Sequence, residues 1–342
     1  MHLADEIVKF RSVAVAGLAK NVGKTVTLNY LIREAHKKSY RIGVTSIGID
    51  GESTDQVTRT AKPEIRLFSG MLFATSEVHY RKRLIESEVV GIAPRSTSMG
   101  RVVVSRAIGD GKVLLAGPPD TFSLKRLIDD MASRDIETVL VDGALSRVSL
   151  ASPAVTDAMI LATGAALSPD IGKIVARTVF VCSLMELPEV TGELKGKLEH
   201  LDTGMWGFDR EDNPVRLEVR SSLDYQAVKE GILKFGPKIY VSGIVTDRLL
   251  QFLSTQKNTV TPRLIVRDFT KLFVEPRTFR FFLNRGGSIE LMRRSRLLAV
   301  TINPWSPAGY NVDKDLLQES LQKELNVPVI YIDPEYEKNM TE

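Results

Sequence analysis

Apolar residues along this chain switch between two spacings. Short unbroken runs fit strands buried on both faces, and longer stretches where they recur every three or four positions fit amphipathic helices. The run Ser12 to Ala16 predicts a buried strand, and Leu28, Leu31, Ile32 and Ala35 give one apolar face to a helix over Thr25 to His36. A second strand is expected from Arg41 to Asp50, followed by a polar loop and a helical segment around Glu77 to Glu88. Arg101 to Ile108 and Lys112 to Ala116 flank Gly109-Asp110-Gly111, which reads as a turn or small hairpin and hence a local antiparallel edge. The alternation then resumes after a break at Gly117-Pro118-Pro119-Asp120. It gives a helix from Ser123 to Ser133, the strand Thr138 to Asp142, the buried strand Ala158 to Thr163, and a helix opened by Ser168-Pro169-Asp170.

Strands alternating with helices specify an α/β fold, here a doubly wound, mainly parallel sheet with helices on both faces. The pattern weakens from Leu187 to about Asp224, where glycines and Pro214 are scattered through a charged segment. Beyond it, Lys238 to Thr246, Arg263 to Val266, Leu297 to Ile302 and Val327 to Ile332 are further strand candidates, which either extend the same sheet or build a second α/β lobe. The expected division is an N-terminal domain over 1–186, an insertion or hinge over 187–237 and a C-terminal α/β part over 238–342.

Composition narrows the class. With 342 residues, 43% of them hydrophobic and 26% charged, the chain can bury a large core and does not have the balance of a disordered one. Lysine and arginine exceed aspartate and glutamate by 46 to 42, and the resulting +4 is too small and too dispersed to indicate nucleic acid. The short cluster Arg293, Arg294, Arg296 fits a solvated strand edge or a strand-end anion contact. Cys182 is the sole cysteine, so no disulfide framework forms within one chain, and a reducing compartment is the expectation. Met1 to Arg11 is too charged for a signal peptide, and no apolar run approaches the ~18 residues of a membrane span. Together these features predict a cytoplasmic protein with no membrane partner.

The chemistry concentrates at Gly17 to Thr25, which read Gly-Leu-Ala-Lys-Asn-Val-Gly-Lys-Thr between the first strand and its helix. A polyphosphate needs donors close to several oxygens with no side chains in the way. Gly17 and Gly23 let the backbone approach, and amides from Asn21, Val22, Gly23, Lys24, Thr25 and Val26 can point at the anion, reinforced by the helix N-terminus. Lys24 supplies a flexible cation for the β and γ phosphates and Thr25 a hydroxyl for Mg2+. Such a cradle needs an acidic partner at a neighbouring strand end. Asp142, closing Val139-Leu140-Val141 and followed by Gly143, supplies one. Asp50 and Glu52, after the second strand, are further candidates to bind Mg2+ or orient an attacking water, although Asp50-Gly51 also suits a plain turn. Catalysis is therefore assigned to Lys24, Asp50 and Asp142, and metal binding to Thr25, Asp50, Glu52 and Asp142. The four histidines show no metal-ligand spacing, and Asp120 suits a helix cap better than a substrate contact.

The loop departs from G-x-x-x-x-G-K-[ST], because that form would place its first glycine where Leu18 stands. Glycine, five residues and then Gly-Lys-Thr resembles the loop of dethiobiotin synthetase and of the cobyric and cobyrinic acid synthetases, and Asp142-Gly143-Ala144 resembles their Glu-Gly-Ala element. The resemblance implies a P-loop NTPase fold that binds ATP with Mg2+. ATP is preferred to GTP because the chain has no Asn-Lys-x-Asp. Asn303, closing a late strand before the loop Trp305 to Tyr310, occupies the place of the adenine-binding loop in those synthetases. Lys20 is one residue out of register with the second lysine of dimeric relatives, so solvation is the better reading, although such loops allow a homodimer. The wider stretch Val13 to Leu31 is similar to a small bacterial family of reactivase subunits for lysine 5,6-aminomutase. That similarity implies an ATP-driven accessory protein acting with a second ATPase subunit on an adenosylcobalamin-dependent aminomutase. The alternative is an ATP-dependent synthetase that activates a carboxylate.

Overall fold

The computed structural model describes residues 2–48, 65–143, 155–201, 203–217, 236–255 and 261–333. The chain divides into two units, Met1–Val179 with Arg296–Glu342, and Phe180–Ser295. In chain order the first unit contains α1 (Leu3–Ile7), β1 (Ser12–Gly17), α2 (Lys24–Lys37), β2 (Ile42–Ser46), β3 (Ile65–Leu67), β4 (Leu72–Ser76) and α3 (Glu77–Arg81). There follow β5 (Ser87–Thr97), β6 (Gly100–Ala107), β7 (Gly111–Val113), α4 (Thr121–Ala132), β8 (Thr138–Asp142), β9 (Ala158–Gly164) and α5 (Ile171–Met185), within which the unit boundary falls. The second unit continues with α6 (Gly192–Glu199), β10 (Met205–Phe208), β11 (Pro214–Arg216), β12 (Lys238–Val241), β13 (Val245–Thr246), α7 (Asp247–Thr255), β14 (Arg263–Val266), β15 (Leu272–Phe273), α8 (Pro276–Asn284) and β16 (Ser288–Leu291). The chain then rejoins the first unit as β17 (Arg296–Asn303), α9 (Lys314–Glu324) and β18 (Val329–Tyr331).

The first unit is an α/β structure around a large mixed, mostly parallel sheet, ordered β18-β17-β9-β1-β8-β2-β4-β6-β5 among the described residues. All pairs from β18 to β4 are parallel, and β6 runs antiparallel to both neighbours. An interior parallel strand is buried on both sides, which is why β1 is apolar or small throughout and wholly buried. Alternate residues of β8 serve the two faces. Leu140 joins the core built with α1 and α2, whereas Val139 and Val141 join the one built with α4. Leu28, Leu31 and Ile32 of α2 are wholly buried in the first core, each contributing about 1.5–3 kcal/mol by the apolar area removed from water.

Two expectations change. The strand over Arg101 to Ile108 forms its hairpin with the preceding β5, through Ser98 and Met99, and not with the following segment. Gly100, at φ +84, closes that turn, and Val103 of the run Val102-Val103-Val104 stands opposite Ile92 of β5. Asp110 turns instead to the Ser69 amide (3.0 Å), and β7 pairs with β3. The helix expected over Glu77 to Glu88 stops at Arg81, because the chain from Ser87 is needed as strand.

Of the four late strand candidates, β17 and β18 lie in the first unit's sheet, while β12 and β14 lie in a separate sheet ordered β11-β10-β12-β14-β16. That sheet packs Phe208, Tyr240, Ile265 and Met292 with Val190 and Leu198 in its own core. Arg263 forks onto Glu290 across β14 and β16 at 2.5 and 2.7 Å, which raises the guanidinium pKa. Among the described residues, no helix is long and apolar enough to cross a membrane.

Candidate functional site

β1 lies between β8 and β9, so the chain passes to opposite sides of it. Ligands of open α/β sheets bind at such a switch point, outside the carboxyl ends of the strands. The loop from Leu18 to Gly23 leaves the sheet there. Its first amide, on Leu18, donates to the Ala162 carbonyl at 3.0 Å, and the Leu18 side chain is buried. Leu18 therefore belongs to the core, and the glycine that matters is Gly17. A Cβ at Gly17 would lie 2.7 Å from both Lys24 Cγ and Val22 Cγ2, and 2.9 Å from Lys24 Cδ. The loop thus curls back until the stem of Lys24 crosses the backbone at its own start.

Asn21 (φ 60) and Gly23 (φ 90) hold left-handed backbone that turns the loop into α2. The N-cap of α2 is Gly23, which has no side chain to cap the helix's first amides. Thr27, one turn in, has its hydroxyl 3.1 Å from the Gly23 carbonyl and 2.8 Å from the buried Thr301 hydroxyl of β17. The Asn303 amide donates to the Asn21 carbonyl at 3.0 Å, and its oxygen accepts from the Trp305 amide at 3.1 Å. A Cβ at Gly23 would approach Asn303 Cβ to 3.1 Å. Asn303 is therefore a brace of the loop. The sequence resemblance sets it at the adenine-binding loop, and nothing in its local pattern shows this contact across 282 positions. Thr27 and Thr301 escaped that reading altogether, since two threonines far apart in sequence give no signal of meeting.

Asp142 is the half-buried last residue of β8, in register with Val15 of β1 and Ser46 of β2. Its carbonyl accepts from Ile47 (3.1 Å), and the next amide, of Gly143, donates to the Val15 carbonyl (3.1 Å). The carboxylate thus stands one strand from the loop. Gly143 has room for a side chain, with no atom nearer than 4.0 Å to an added Cβ, so packing does not demand glycine there. Thr25 and Val26 occupy the first turn of α2, and Lys20 is exposed on the loop. Asp50 and Glu52 lie outside the described residues. No cluster of three metal-binding side chains occurs among those described.

Other candidates resolve into structural roles. Asp120 caps α4, accepting from the Ser123 amide and hydroxyl at 2.8 Å each, and these bonds hold its carboxyl below the usual range, the backbone one first. Arg293 pairs with Glu199, Arg294 donates to the Met185 carbonyl, and Arg296 lies over Phe10. Burial pushes the Cys182 thiol up to about 12, so it is inert at neutral pH. His79 is buried against Ser76, and His36 stacks on Phe68. Comparisons with family models, curated proteins and solved structures give no match.

Proposed function

We propose that the protein is a P-loop ATPase, Mg2+-dependent, that serves as an accessory to a partner protein, of the kind that reactivates an adenosylcobalamin-dependent aminomutase. The observation that carries the nucleotide reading is the fold-back of Lys24 across Gly17 at the switch point, beside a helix whose N-cap is the glycine Gly23. The space kept clear at Gly17 and Gly23 suits an anion approached by backbone. Loop amides would bind the phosphates, Lys24 would neutralise the charge that develops on the γ-phosphoryl, and Asp142 would hold the metal's water shell. Mg2+, when bound with ATP, would offset and orient the phosphate charge, and Thr25 and Asp142 would be its protein oxygen donors.

The partner reading rests on the resemblance of Val13 to Leu31 to the reactivase subunits. Lys24→Ala is expected to abolish ATP binding in calorimetry while leaving the circular dichroism spectrum unchanged, because it removes a cation and no core contact. Unchanged affinity and turnover in that variant would refute the assignment. Hydrolysis by the wild-type protein should rise when a cobalamin-dependent aminomutase is added; stimulation by a small carboxylic acid instead would turn the reading to a synthetase.

A further inference from the structure

On the sheet face that α4 covers, a groove of about 380 Å³ runs between that helix and the β5–β6 hairpin. Its floor is Val102 and Val104, with Leu127 on the helix side. Arg95 from the hairpin and Arg126 from the helix reach over Phe122 from opposite walls, each 5.9 Å from the ring centroid. Phe122 is 61% exposed, and Ile92 on the hairpin is 56% exposed, so large apolar side chains stand at the rim.

The charges there are unequally satisfied. Asp120 is engaged by Ser123, and Asp130 is bound by the Arg134 fork at 3.0 and 3.1 Å. Among the described residues, neither Arg95 nor Arg126 has a carboxylate within 4.0 Å. Arg95 acts on Asp120 at longer range, so the rim's positive charge above the apolar floor is only partly offset. β5 is also the last strand of its sheet, and its pairing with β6 is interrupted between Ile92 and Ser96.

A small-molecule site encloses most of its ligand and turns polar groups inward, whereas this groove keeps its polar groups and its aromatic ring on an exposed rim. Arginine beside aromatic residues is the composition of a protein interface. The apolar floor and the two aspartates argue against nucleic acid. We infer that the groove docks an extended segment of a partner protein in which an acidic residue adjoins a large apolar one. The apolar side chain rests on Val102, Val104 and Leu127, and the carboxylate takes charge-assisted hydrogen bonds from Arg95 and Arg126. The inference does not rest on the nucleotide reading, since no residue of the phosphate loop takes part.

The test is selection of a random twelve-residue peptide library, displayed on phage, on the full-length protein. Enriched sequences should carry aspartate or glutamate next to a large apolar residue. As synthetic peptides in fluorescence anisotropy they should lose at least about tenfold in affinity on the Arg95→Glu/Arg126→Glu variant, and weaken with added salt. Phe122→Ala, a milder exposed change, should weaken them about fivefold, with thermal melting confirming that both variants fold. Failure to enrich acidic and apolar sequences, or equal affinity on wild type and variants, overturns the inference. So does octanoate binding in calorimetry that is lost in the same variants, which reassigns the groove to a small acid. A self-association in sedimentation abolished by the charge reversal likewise overturns it, in favour of a second copy of this chain.

Discussion

At Gly17 a methyl group would collide with the stem of Lys24 in Gly23-Lys24-Thr25, so the residue's smallness and the lysine's direction are a single fact. Gly17→Ala should therefore move Lys24 off its track. We expect ATP affinity to fall at least about tenfold, as when a positioning contact is lost, with melting temperature lowered only slightly. An alanine variant that binds ATP normally in calorimetry would show that the lysine does not need this path. Residue types made this much legible, since glycine and lysine at these positions leave little other use. Asn303 shows the opposite. Its identity is plain, but its role as a brace follows from β17 lying two strands from β1, which no local pattern encodes.

At the scale of elements, α4 starts where Asp120 caps it and buries Leu124, Leu127, Ile128 and Met131 against the sheet. Asp120→Ala should cost about 1 kcal/mol of stability near neutral pH. Because the carboxyl titrates lower when folded than when unfolded, this contribution is complete above the unfolded pKa of about 4 and is lost as pH falls through the depressed folded value. Melting curves of wild type and variant should accordingly converge in strong acid; a gap that persists unchanged there would mean the carboxylate's charge has no part in the cap. Helices and parallel strands such as α2, α4, β1 and β8 were readable because burial on one face or two imposes a strict period. The β5–β6 hairpin was not, because its turn signal, Gly100 after Ser98-Met99, is weaker than the competing glycines at 109 and 111.

For the whole molecule, the described contacts of the loop from Leu18 to Gly23 come from β1, α2, β9 and β17, all within the first unit. A short Gly/Ser linker in place of residues 186–295 should therefore preserve ATP binding within about threefold, since loop closure costs little with such a linker. A chain so shortened that melts cooperatively yet no longer binds ATP would show that the second unit supplies part of the site. The sequence pattern announced late strands but could not sort them, because β12 and β17 are equally apolar and only pairing distinguishes their sheets.

That pairing also sets an order of events during synthesis. β17 lies on β9 in the finished sheet, yet residues 180–295 must leave the ribosome before it is made. Until then the nascent chain presents β9 with a bare hydrogen-bonding edge, and the cradle lacks both Asn303 and Thr301. Under the nucleotide reading proposed above, the polypeptide would become able to bind ATP only as its last strands emerge.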